Sequence, residues 1–245
     1  YSQNINSDKS LKWIKNKNPD LIFCFGWSEL LKKKILKLAK IASVGFHPTK
    51  LPQNKGRHPI IWTIALGLKK TASTFFLIQN EKADTGKIIS QKKIIIKKNE
   101  TSSSLYKKII TISKKQLVEV IDFFKKKKGK EKINNFSKNK NENVWRKRNV
   151  LDGKIDWRMS ASAIDRLIKS LYYPYNYAHF CYNNKIIKVK DCKVISKKNN
   201  KNNSNFEPGK ILIVKKNSFD IKCGEGVIRI IKIDKKINFK KIYYL

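Results

Sequence analysis

Residues 43–62 read SVGFHPTKLPQNKGRHPIIW and hold two of the chain's three histidines and three of its six prolines. His47 closes a short apolar run, and Pro48 ends that run at once. In open α/β sheets ligands bind beyond the carboxyl ends of strands, so an imidazole in this position can meet a substrate and move a proton near neutral pH. Pro52 and Pro59, flanking Gly56 and Arg57, predict a stiff loop whose shape depends little on its other side chains. A second candidate is Asp84 in EKADTGKII, a carboxylate before a Thr85-Gly86 turn between two apolar runs. A third is Phe25-Gly26-Trp27, a glycine between two aromatics that can wall a flat heteroaromatic site. Each also fits a purely structural role: a turn histidine, a β-turn, packed rings.

The elements that must position these residues alternate in type. NPDLIFCFGW reads as a turn and a buried strand, SELLKKKILKLAK as a helix capped by Ser28, and IASVGFH as a second strand. PIIWTIALGL predicts a helix closing on Gly67, TASTFFLIQN and GKIISQKKIII predict two strands, and SSSLYKKIITISKKQLVEVIDFFKK a long amphipathic helix. The alternation predicts an α/β domain with a largely parallel sheet over residues 1–127. Residues 128–149, rich in lysine and asparagine and poor in apolar side chains, read as a linker. From 150 to 245 a capped helix stopped at Pro174 is followed by KIIKVKDCKVI, GKILIVKK, SFDIKC and GVIRIIKI, the short-strand rhythm of a small β-rich, OB-like barrel. No β-α-β unit with its own phosphate loop precedes the first strand, and the chain opens with Tyr1. A preceding segment is therefore expected to be absent.

Composition narrows the function classes only partly. The formal charge is +38, from 56 basic and 18 acidic residues, but only six of the bases are arginine, the residue that grips phosphate bidentately. The lysine surplus accompanies asparagine and isoleucine, the pattern of adenine- and thymine-rich codons, so the charge supports an anionic substrate without naming it. No run of about eighteen apolar residues is present and the start has no signal-peptide character, which predicts a cytoplasmic protein without a membrane span. Cys24, Cys181, Cys192 and Cys223 are widely spaced, indicating neither a disulfide framework nor a metal site.

In order, these pieces resemble the formyltransferases that use 10-formyltetrahydrofolate, the superfamily of the methionyl-tRNA, glycinamide ribonucleotide and sugar N-formyltransferases. Their asparagine-x-histidine strand, SLLPxxRGxxP loop and DTG turn look like Gly45-Phe46-His47, Thr49-Lys50-Leu51-Pro52 with Gly56 and Pro59, and Asp84-Thr85-Gly86. Ile155-Asp156-Trp157 and the strands around PGKILIV and KCGEGVIRI are similar to the C-terminal domain of the methionyl-tRNA and sugar enzymes. The resemblance implies a Rossmann-like formyltransferase domain before a small β-rich domain, with 10-formyltetrahydrofolate as co-substrate.

It also implies roles. His47 carries the proton that leaves the attacking amine, and Asp84 holds the imidazole in one orientation. Phe25, Gly26, Trp27, Thr85 and Gly86 line the folate side, and Gly45, Pro52, Gly56 and Arg57 form the substrate loop. One departure stands out: Gly45 occupies the place of the family's asparagine, an oxyanion donor, on the same strand face as His47. Trp27, Arg57 and His58 are candidates for reshaping the pocket there. The expected acceptor is a primary amine, by preference of a nucleotide-linked amino sugar; the alternatives are initiator methionyl-tRNA and a non-catalytic folate- or RNA-binding relative.

Overall fold

A computed structural model describes residues 4–27, 29–126, 142–201, 203–235, 237, 244 and 245. Ser28 and residues 128–141 of the expected linker lie outside them. The chain divides into two compact units, one of residues 1–59, 70–95 and 107–147, the other of residues 60–69, 96–106 and 148–245.

The first unit begins with α1 (Asp8–Lys17), an element the sequence reading passes over. The Ser7 hydroxyl accepts from the Ser10 amide, and Asn18 ends the helix in the left-handed region at φ 47°. Four strands, β1 (Leu21–Cys24), β2 (Ala42–His47), β4 (Lys70–Leu77) and β5 (Ile88–Ile95), form a sheet in the order β1-β2-β4-β5. Only the β1–β2 ladder is parallel; β4 runs antiparallel to β2 and to β5. This corrects the largely parallel sheet expected. β4 and β5 are joined by only ten residues, a hairpin connection, whereas parallel neighbours need a longer crossover. A second correction concerns the helix read from residue 28 onward. It shrinks to α2 (Lys33–Leu36), capped by Lys32 without a side-chain bond, with Ile35 buried in it and Leu31 buried before it.

From Lys107 onward α4 (Ser102–Lys125) covers one face of this sheet, with Val44, Phe75 and Val120 as the buried centre. A polar clasp crosses that core. Gln116, 1% exposed, accepts from Ser73 Oγ at 2.7 Å and donates to the Ser73 carbonyl at 3.1 Å and to Ser90 Oγ at 2.9 Å. The carboxamide thereby ties the helix to both strands of the hairpin.

In the second unit, which takes from Ile60 onward the expected helix α3 (Pro59–Ala65), α5 (Ala161–Ser170) is capped by Ser160 and packs on an antiparallel sheet in the order β7-β8-β11-β10-β9. Its strands are β7 (Ala178–Tyr182), β8 (Lys185–Ser196), β9 (Ile211–Lys215), β10 (Ser218–Lys222) and β11 (Val227–Ile233). The expected β-rich domain is present, with its described ladders forming an open sheet rather than a closed barrel. Ile164, Ile168, Phe180, Ile221 and Ile228 are buried at its centre. Cys192 and Cys223 pack there as thiols, and burial pushes the Cys223 thiol up to about 12.

Replacing Gln116 by leucine leaves Ser73 and Ser90 without their buried partner. The expected loss of stability is about 1–3 kcal/mol, seen as a lower urea midpoint; an unchanged midpoint contradicts the clasp.

Candidate active site

His47 is the last residue of β2, and the chain leaves the sheet at Pro48. The loop that follows would carry unpaired backbone groups into a buried region, so its hydrogen bonds can be followed one by one. The Pro48 carbonyl accepts from Thr71 Oγ1 at 3.1 Å and the Thr49 carbonyl from Thr74 Oγ1 at 2.6 Å. Gln91 Nε2, itself 3.0 Å from Thr74 Oγ1, donates to the Leu51 carbonyl at 3.0 Å. The fully buried Thr49 hydroxyl reaches across the loop to the Asn54 carbonyl at 3.0 Å.

The far limb of the loop, β3 (Lys55–Gly56), is paired in parallel with β6 (Val144–Trp145). The Asn143 side chain accepts from the Asn54 amide at 2.9 Å and its carbonyl from the Lys55 amide at 3.1 Å, while the Trp145 carbonyl accepts from the Arg57 amide at 2.9 Å. Lys55 Nζ, largely buried, meets Glu142 at 2.7 Å. Gly56, at φ 98°, is required here: any Cβ would run into the Trp145 carbonyl. Residues 142–145, expected as linker, thus act as a strap on the loop.

The strapped loop frames a buried imidazole. His47 Nε2 donates to the Asn54 carbonyl at 3.0 Å, and Nδ1 lies 3.5 Å from Asp84 Oδ1. The second oxygen of Asp84 accepts from the Gly56 amide at 3.0 Å. Both side chains are shielded, at 7% and 14% exposed. Asp84 (φ 55°), Asn54 (φ 61°) and His58 (φ 54°) all take left-handed backbone conformations, a concentration typical of functional loops held by their surroundings. Acceptors face both ring nitrogens, and the contacts fix the orientation of the ring.

The other candidates fall into three groups. Asp84 meets His47 directly and Gly56 meets Asp84, and Pro52 and Arg57 belong to the same loop, the Leu51–Pro52 peptide being cis. Thr85 spends its hydroxyl within the 80–85 turn, on Asn80 Oδ1 and the Lys82 carbonyl. Gly86 lies so close to β4 that any Cβ would collide with the Leu77 carbonyl. Phe25 packs edge-on against Phe46 and Phe75, with centroids 6.1 and 5.4 Å away, on the sheet face opposite His47. Gly26 and Trp27 lie in the open: nothing comes within 4 Å of a Cβ built on Gly26, and the indole is 44% exposed.

Gly45 has a clear structural reason. It sits opposite Phe76 in the β2–β4 ladder, and an added Cβ would stand 2.5 Å from Phe76 Cζ. The ring on the glycine is therefore Phe76, a buried residue the sequence reading does not single out, and not Trp27. Thr49, Asn54, Thr74, Gln91 and Asn143 were likewise outside the candidate set. The only sequence signal for them is the density of hydroxyl and amide residues beside the loop.

Residues 2–121 match the formyl transferase family, and residues 149–242 match the formyl transferase C-terminal domain. The chain belongs to the formyltransferase family. It is 35% identical over 190 residues to the bifunctional polymyxin resistance protein ArnA of Wigglesworthia glossinidia brevipalpis, covering 76% of this chain and 28% of that protein. To the methionyl-tRNA formyltransferase of Clostridium novyi it is 29% identical over 219 residues, covering 88% of this chain and 66% of that one. The chain thus spans less than two thirds of either relative. Its fold is shared with WlaRD, a sugar 3N-formyl transferase whose structure was solved in the presence of dTDP and 5-N-formyl-THF, at a TM-score of 0.66 and 20% identity over 91% of this chain and 77% of that one.

Because Phe76 fills the space above residue 45, Gly45→Ala is expected to cost about 1–3 kcal/mol by overpacking in urea unfolding. In a Phe76→Ala background the same change costs little. Equal costs in both backgrounds contradict the pairing.

Proposed function

We propose that this protein transfers a formyl group from 10-formyltetrahydrofolate to a primary amine, with His47 and Asp84 at the reacting centre. The observation that carries the reading is the buried His47–Asp84 pair at the end of β2, held by the loop that starts at Pro48. Family membership and the folate analogue in the WlaRD structure support the donor. The chain also has room for one: Gly26 is open and the Trp27 ring is free to stack on a flat heterocycle at the exits of the parallel pair β1 and β2.

The chemistry assigns work to each residue. The amine adds to the formyl carbon, negative charge grows on the formyl oxygen, and the folate nitrogen leaves as the new amide forms. In this reaction His47 Nε2 turns its N–H from the Asn54 carbonyl to the reacting groups, gives that proton to the departing nitrogen and takes the amine's proton in its place. Asp84 fixes the ring and stabilises it while charged. With Phe76 over Gly45, no side chain at residue 45 serves as an oxyanion donor.

For the acceptor, a nucleotide-linked amino sugar is favoured, supported by the sugar enzyme of like fold. Initiator methionyl-tRNA is the second reading. The Clostridium novyi relative supports it, as does a cavity of about 1030 Å³ in the second unit, among whose lining residues seven are lysines and one is Arg166 against Glu100, Asp165 and Asp191.

His47→Ala and Asp84→Ala are each expected to lower single-turnover formyl transfer by about a hundredfold or more with folding preserved. Near-parental turnover in either variant sinks the assignment. Transfer to a nucleotide sugar should fall only shallowly with added salt, whereas a tRNA acceptor contacting many phosphates gives a steep decline. Preference for charged initiator tRNA overturns the sugar reading. Folate binding without transfer to any acceptor would make the protein a binding relative.

A further inference from the structure

The peptide joining Asn54 to Lys55 has a partner on each side. Its carbonyl accepts from His47 Nε2, and its N–H donates to the main-chain carbonyl of Asn143. The preceding peptide donates the Asn54 N–H to Asn143 Oδ1. One residue of the strap therefore grips two consecutive peptides, and the second of them is the one that orients the imidazole. The next peptide along, through the Gly56 N–H, holds Asp84. Asn54 is at φ 61°, a conformation a non-glycine residue keeps only when its surroundings enforce it.

We propose that Asn143 is a positioning residue for His47. Its carboxamide and carbonyl lock the Asn54–Lys55 peptide so that the Asn54 carbonyl points at Nε2 and keeps the imidazole aligned with Asp84. The inference rests on the reading that His47 acts in formyl transfer. Asn143 touches neither His47 nor Asp84 and acts through the loop backbone. The neighbouring strap contacts, Lys55 with Glu142 and the Arg57 amide with the Trp145 carbonyl, keep β6 in place when the carboxamide is removed. Substitution of Asn143 therefore shifts the ring without unfolding the unit.

The test uses the full chain with ¹⁵N-labelled histidine. Its three imidazoles are assigned with His58→Gln and His179→Gln. In Asn143→Ala the Nε2 proton of His47 is expected to exchange with solvent about tenfold faster or more, as local protection is lost. Turnover should fall roughly 5- to 50-fold by misalignment, with the KM for the folate donor within about twofold and an unchanged melting temperature. Asn143→Asp, which keeps an oxygen for the Asn54 N–H, should restore both the protection and the rate.

Unchanged imidazole exchange together with unchanged turnover in Asn143→Ala overturns the proposal. So does a loss of turnover that Asn143→Asp fails to rescue. If the imidazole signal moves and turnover does not, the contact stands, and it is the role of His47 in transfer that falls. Should Asn143→Ala not fold, Asn143→Gln displaces the amide by one methylene and supports the same comparison.

Discussion

A main chain that leaves a sheet at a proline and stays buried must find a partner for every amide and carbonyl it takes with it. That constraint governs residues 48–57. Threonines of β4 and a glutamine of β5 take the first carbonyls, the Thr49 hydroxyl crosses the turn, and residues 143–145 take the amides of the returning limb. Beside its own turn bonds, Leu51 to Thr49 and Gln53 to Lys50, the loop is held by tertiary contacts along both limbs, and His47 and Asp84 inherit their alignment from it.

The same arrangement explains why left-handed residues gather here. Asn54, His58 and Asp84 are each costly in isolation, whereas Gly56 takes its positive φ freely, and only a scaffold that over-determines the path keeps the other three together. Chemically this amounts to preorganisation of the His47 imidazole, which the Asn54 carbonyl and Asp84 hold in one orientation. Phe76 occupies the volume above Gly45, so a ring of β4 and no polar side chain stands at this point of the strand.

Much of this was legible in the sequence where the signal is local. The long helix from Ser102, the β4 and β5 runs, the Ser160 cap and the C-terminal strands follow from periodicity and capping chemistry. The grouping of His47, Gly56 and Asp84 rested on motifs and not on periodicity, His47 and Gly56 lying in one loop and Asp84 28 residues beyond Gly56. What failed to show was non-local. The strap is a two-residue parallel bridge in a run of lysine and asparagine, too short for any period, and its partner lies 89 residues earlier in sequence. The reason for Gly45 is a ring on the neighbouring strand. The helix after β1 was over-read because leucine and isoleucine recur there at helical spacing, although among the described residues only Lys33–Leu36 are helical and Leu31 is buried outside them.

These partners hold the loop rigid although most of it lies outside regular ladders, and amide hydrogen exchange tests that directly. The N–H groups of Asn54, Lys55, Gly56 and Arg57 should be protected to the level of the β4 interior, since each donates to a fixed acceptor. Exchange of these four amides at the rate of an unstructured loop would mean that the strap does not hold and that the alignment of His47 with Asp84 has another origin.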